Sequence, residues 1–211
     1  KTVLDASSGG GWLGESLGNE AEIDGIDLYA DTSGNYRRIW ENDLNTGLPH
    51  NAGTYDLICC CEGITHVGNP LLLIRSFRDH LNSNGTLVVT TPNVWYPHSR
   101  LQYFCRGFPP GFPALADKVR LGTHMHIMPW SWPQLYVYFQ MAGFPAPDII
   151  EGPLSKPKYF YDRVLSLPDR LYCSRKKSKT KTPEEVAYGT CAGSEASLLG
   201  RHLTVACQKL H

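Results

Sequence analysis

The sequence contains no apolar run near the roughly 18–20 residues that cross a bilayer as a helix, so nothing in it reads as membrane-spanning. It also lacks an excess of either charge: Lys and Arg total 20, and Asp and Glu total 20. Without a basic surplus or a basic helix there is no field to gather DNA or RNA, and nucleic acid is not expected as a partner. No C-x-x-C pair with zinc-ligand spacing occurs, and the seven cysteines are an odd set with three in a row, Cys59, Cys60 and Cys61. Neighbours on a strand face opposite ways, so these three cannot easily converge on one metal. The cysteines read as reduced thiols used as small apolar side chains, and no metal site is expected. No secretory leader is visible, the chain opening directly on the strand-like Lys1-Thr2-Val3-Leu4-Asp5, so a cytoplasmic location is expected. Internal repeats are absent as well. What remains is 211 residues, 42% hydrophobic and 19% charged, which is the make-up of one globular domain over 1–211. That length buries enough surface to need no disulfide or metal staple. Nothing in it reports an oligomeric state.

Short apolar segments alternate with helical patterns. Val3-Leu4-Asp5 ends a first strand, the turn Ser7–Gly11 follows, and a short helix runs from about Trp12 to Leu17. Ile23–Asp27 is a second strand, and the stretch after it is too short for a full crossover helix. Tyr55–Cys61 is continuously apolar, as in a strand buried on both faces of a parallel sheet. Asn69-Pro70 opens a helix through about Leu81, with Leu73, Phe77 and Leu81 at helical spacing and Asn84-Gly85 as its stop. Thr86–Thr91 is the next strand, halted by Pro92. Ser131–Met141 is a capped helix, and strands are expected over Asp148–Glu151 and His202–Cys207. This alternation gives an α/β, doubly wound, Rossmann-like fold. Residues 93–130 and 152–199 read as irregular segments on the acceptor side.

The glycines invite a ligand. Gly9-x-Gly11-x-x-Gly14 matches the dinucleotide fingerprint literally, and Asp27 stands near the distance expected of a ribose-binding carboxylate. An NAD-dependent oxidoreductase therefore stays open as an alternative. Asp5, at the end of the first strand, argues against it, because a carboxylate there repels a pyrophosphate and attracts a cationic sulfonium cofactor. In the same region Val3-Leu4-Asp5-Ala6-Ser7-Ser8-Gly9-Gly10-Gly11 resembles the first motif of class I S-adenosylmethionine-dependent methyltransferases. Gly25-Ile26-Asp27, Asn42-Asp43-Leu44 with Leu48-Pro49, Tyr55–Ile58 with Glu62–Val67, and Leu81–Asn93 resemble that family's later motifs in the same order. The resemblance implies a sheet of about seven strands with the last antiparallel, and S-adenosyl-L-methionine as cofactor. It implies a cofactor site of Asp5, Ser7, Gly9, Gly11, Asp27, Leu28, Asp43, Leu44 and Glu62. Ser7 departs from the family, which has its first glycine there. A non-catalytic binding domain with the same fold is a further alternative.

For an oxygen acceptor a proton must leave, and histidine is the natural base near neutral pH. The candidates are His66, at the end of the fourth strand, and His124 and His126, two apart on the loop before the last helix read above. The expected acceptor is a small molecule or a glycan. Residues 93–130 hold much of the aromatic content, and with Arg100 and Arg106 would suit a sugar or sugar phosphate, as in methyltransferases tied to surface-polysaccharide assembly, which this stretch resembles. The run Arg175–Lys181 reads as a solvated loop, with weak peripheral contact to a membrane, or an anionic lipid-linked substrate, as its alternative.

Overall fold

The computed structural model describes residues 1–29, 34–109, 111 and 126–210. The chain runs β1 (Thr2–Ala6), α1 (Trp12–Leu17), β2 (Glu22–Asp27), β3 (Arg38–Glu41), β4 (Tyr55–Cys61), α2 (Pro70–Asp79), β5 (Leu81–Pro92) and α3 (Pro97–Arg106). It continues with α4 (Trp132–Met141), β6 (Asp148–Ile149), α5 (Asp162–Leu165), α6 (Leu167–Lys177), α7 (Pro183–Ala192), α8 (Glu195–Leu199) and β7 (His202–Gln208). The seven strands form one sheet in the order β3-β2-β1-β4-β5-β7-β6. β1 to β5 are mutually parallel, whereas β7 runs antiparallel to both β5 and β6. The expected doubly wound sheet with an antiparallel last strand is therefore present.

β4 lies between β1 and β5, which is why its sequence is apolar on both faces. Ile58 and Cys60 are fully buried there beside Leu4 and Leu87 of the neighbouring strands, in one core cluster with Leu203 and Val205 of β7. The core cluster continues into Leu73, Ile74 and Phe77 of α2 and Leu135 and Phe139 of α4. Asn69 caps α2 by accepting from the Leu72 amide, and Pro70 fills its first turn, where a missing N–H costs nothing.

Three expectations are corrected. α2 ends at Asp79, and Leu81 already belongs to β5, paired with Tyr55. Its burial comes from strand pairing rather than from the helical stripe, and Asn84, at φ 63°, sits in a bulged stretch of that strand instead of stopping a helix. Residues 152–199 are largely helical, holding α5 to α8, and α3 lies within 93–130. The basic run begins inside α6, whose last turn is Arg175, Lys176 and Lys177, where cations favour the helix dipole.

The shortened crossover after β2 has a specific replacement. Among the described residues between β2 and β3 there is no helix, and the Tyr36 ring fills the space instead. A Cβ built on Gly14 or Gly25 would stand 2.8 or 3.1 Å from that ring. The glycine of α1 and that of β2 are both bare so that one aromatic ring can lie between them.

Candidate active site

In a parallel sheet the carboxyl ends of the strands frame the ligand crevice. Register places the residues after β1, β2, β4 and β5 along one edge. Because β7 is antiparallel, its first residue arrives at that same edge: His202 pairs with Pro92, the last residue of β5.

The turn after β1 is tight. Ser7 adopts φ 73°, a left-handed conformation usually left to glycine, and its amide and that of Ser8 both donate to the Ile26 carbonyl. The Ser7 hydroxyl donates to the Cys61 carbonyl at 3.1 Å. A Cβ on Gly63 would stand 2.5 Å from that hydroxyl oxygen, so the serine and the bare Gly63 are a matched pair. Gly9 (φ 50°) donates its amide to the Asp27 carboxylate at 2.9 Å, and Gly11 (φ 83°) caps α1. Asp27 also accepts from the Tyr29 amide at 3.1 Å. Its carboxylate thus ties the glycine turn to the end of β2.

Of the two roles open to Asp5, toward a ligand or in orienting the loop, its position suits the second. It is buried beneath the turn, accepting from the Tyr36 hydroxyl at 2.7 Å, and it is not among the walls of the cleft. That hydroxyl in turn accepts from the Gly14 amide at 3.3 Å. Burial pushes the Asp5 carboxyl up to about 6, against the pull of the Tyr36 hydrogen bond, with the Asp27 charge adding to the rise. Asp5 organises the loop from below rather than facing a ligand.

A cleft of about 70 Å³ opens beside the turn, walled by Ser7, Asp27, Leu28, Asp43, Leu44 and His66. Asp43 is held by the amide and side chain of Asn45, each at 2.8 Å, and so fixes the short turn Leu44–Thr46. Five of the nine expected cofactor residues meet here. Gly9 and Gly11 shape the turn, Asp5 lies under it, and Glu62 faces the other way.

Glu62 belongs to a second cleft of about 400 Å³, with Tyr96, His98, His126, Lys158 and His202 among its walls. Held at φ 64°, Glu62 accepts from Thr90 at 3.2 Å and from His202 Nδ1 at 3.0 Å. Tyr96 donates to buried Asp162 at 2.6 Å, and the His98 ring lies 5.2 Å from that of Tyr159. The two clefts meet at Glu62-Gly63 and across the rings of His66 and His126, 5.4 Å apart. His124 lies outside the described residues.

Arg100 is committed elsewhere, to Asp169 at 2.6 Å, and Arg106 sits in the exposed last turn of α3. The cationic groups of the second cleft are Lys158 and Arg201. Sequence reasoning missed these, along with His98 and His202. The signal for His202 was present: an antiparallel last strand delivers its first residue to the carboxyl edge. All seven cysteines are free; burial holds Cys59 up at about 12 and Cys61 at about 11, so they stay protonated.

The model of a family described as a methyltransferase domain matches residues 1–145. A ubiquinone biosynthesis O-methyltransferase from Vibrio campbellii is 34% identical over 104 residues, 44% of this chain and 44% of that protein. The match thus spans under half the length of that curated relative. Among solved structures, a chain in the complex of a Haloferax volcanii methyltransferase with its activator superposes with a TM-score of 0.58 at 14% identity, covering 100% of this chain and 83% of that one. A SAM-dependent methyltransferase from Archaeoglobus fulgidus gives 0.57 at 15% identity, covering 99% and 86%. At such identities these two likenesses speak to the fold.

Proposed function

The chain belongs to the methyltransferase-domain family, and on that premise we propose that it is an S-adenosylmethionine-dependent O-methyltransferase acting on a small hydroxyl-bearing molecule. The observation that carries this reading is the pairing of two clefts on one sheet edge, one walled by Asp27 and the other by the Glu62–His202 pair. The first cleft suits a nucleoside: Asp27 offers a carboxylate to ribose hydroxyls, and Leu28 and Leu44 offer apolar faces to a base. Bare Gly63 keeps the floor low beside Ser7. At about 70 Å³ the cleft is well below the roughly 300–1,000 Å³ of small-molecule sites, so a nucleoside requires it to widen. When bound, the cofactor supplies an electrophilic methyl group on a positively charged sulfur.

The chain's own task is to position the acceptor and take its proton. Glu62 holds the Nδ1–H of His202, which leaves Nε2 as the proton acceptor and stabilises the imidazolium once formed. His66 and His126, at the junction of the clefts, line the path between cofactor and acceptor and are the second candidates for the base. Tyr159, stacked on Tyr161 at 5.0 Å, and His98 give the acceptor cleft flat walls that suit a phenol or a sugar ring. Lys158 and Arg201 add a preference for acceptors bearing a phosphate or carboxylate. No helix of the described residues is long and apolar enough to cross a membrane. Free thiols throughout suit a reducing compartment, which supports a cytoplasmic location.

The test is turnover of a panel of phenolic and sugar acceptors with labelled cofactor. His202→Ala should lower kcat by about 10²–10⁴-fold, the usual loss of general-base help, with affinity for S-adenosylhomocysteine kept. Full turnover in His202→Ala with collapse in His126→Ala would move the base to His126.

A further inference from the structure

On the far side of the 92–96 segment the molecule has two more cavities that the methyl-transfer reading leaves unused. One, of about 660 Å³, lies among α4, α6 and α7, with Tyr136, Tyr172 and Tyr188 on its walls and Lys176, Lys177 and Lys179 beside them. The other, of about 640 Å³, is lined by Val94, Tyr103, Phe104, Pro129 and Pro133. Trp95 lines both, so they adjoin across one indole ring. Each has the size of a small-molecule site, and the two differ in character. The second is apolar apart from Ser131 and Arg100, and that arginine is already paired with Asp169. At the first, none of the three lysines is in an ion pair among the described residues. Glu184 and Glu185 stand on the same rim, but the Glu185 carboxylate accepts from the amides of Lys181 and Thr182 and serves as the cap of α7.

We propose that this double cavity is a binding site for an amphiphilic anion, its apolar chain lying over Trp95 toward Phe104 and its phosphate or carboxylate held by Lys176, Lys177 and Lys179. Three lysines outnumber the two glutamates on this rim, and Lys176 lies 5.7 Å over the Tyr172 ring, so the wall joins a surplus of positive charge to aromatic surface and suits an anion with an apolar body, and the neighbouring apolar cavity supplies room for a chain. The site is back to back with the acceptor cleft. Trp95 faces the double cavity while Tyr96 lines the acceptor cleft. Asn93 pins this segment by donating to the carbonyls of Ser197 and Gly200, both at 2.8 Å. The proposal stands apart from the identity of the methyl acceptor.

The probe is decyl phosphate, titrated by calorimetry into the full chain below its micelle concentration, with decanol, inorganic phosphate and phosphatidylglycerol vesicles as comparisons. The expected result is one-to-one binding of decyl phosphate, with decanol and phosphate each at least tenfold weaker. Lys176→Glu/Lys177→Glu/Lys179→Glu, three exposed changes, should weaken decyl phosphate at least tenfold and leave S-adenosylhomocysteine binding unchanged. Trp95→Ala should weaken it as well, and the lysine variant covers the case in which that chain fails to fold. Equal affinity in wild type and lysine variant overturns the proposal. Binding to vesicles alone, with none to the monomeric amphiphile, also overturns it and points to a surface contact instead.

Discussion

Single side chains hold the glycine turn in place. Tyr36 donates to Asp5, accepts from Gly14, and fills the space that a crossover helix would take. Tyr36→Phe keeps the ring and removes the hydroxyl, leaving a buried carboxyl without its donor; the expected cost is about 1–3 kcal/mol in denaturant unfolding. Asp5 carries a pH signature of its own. Its native carboxyl, at about 6 against an ordinary 3.8, holds a proton more tightly than the unfolded chain does. The stability it contributes is complete below about 3.8, falls as pH rises, and levels off above about 6. Unfolding of Asp5→Asn compared with wild type should show the variant gaining, by up to about 3 kcal/mol, between pH 4 and 6. A constant difference across that window would contradict the burial argument. Ser7 and Gly63 form a second local unit. Gly63→Ala should destabilise by about 1–3 kcal/mol through overpacking, and Ser7→Gly should recover most of that loss in the double variant.

At the scale of elements, legibility followed burial. β4 was readable because a central parallel strand is apolar throughout, and α2 and α4 because each buries a stripe, follows a capping residue and has a proline in its first turn. α6 was not, because it buries only Cys173 and leaves Leu167, Leu171 and Tyr172 exposed, so it has no buried stripe to set against a polar face. α7 was missed although Thr182-Pro183-Glu184-Glu185 is a capping box with proline at the first position, because its own face is weakly amphipathic. The 93–96 segment is tied by the Asn93 and Val94 amides to the Arg201 and Trp130 carbonyls, by Tyr96 to Asp162, and by the Asn93 side chain. Asn93→Ala leaves the Ser197 and Gly200 carbonyls without their donor in a buried setting. The expected outcome is a loss of about 1–3 kcal/mol in stability, with acceptor KM raised more than kcat is lowered.

Across the whole molecule, the site is a product of topology more than of local motifs. The glycine spacing, shared with dinucleotide binders, did not discriminate by itself; the ordered series of motifs from Val3 to Asn93 did, and the family match over 1–145 agrees with it. Asp27, Leu28, Asp43 and Leu44 were expected from the ordered motifs and their resemblance rather than from any strand pattern, and the fold brings the four to one cleft. Which way Asp5 acts, toward a ligand or by orienting the loop, was not legible, because its position in the sequence could not show which face of β1 it takes or that Tyr36 would cover it. His202, 140 residues from Glu62, could be found only through the antiparallel register of β7. The central claim is that the Asp27 cleft holds the methyl donor's nucleoside. Calorimetry with S-adenosylhomocysteine on wild type and Asp27→Ala tests it most directly. The account predicts one-to-one binding to wild type, weakened in the variant by about 1.5–3 kcal/mol, the scale of a hydrogen bond to a charged group. Equal affinity in the two proteins, or binding of NADH where S-adenosylhomocysteine does not bind, would contradict it.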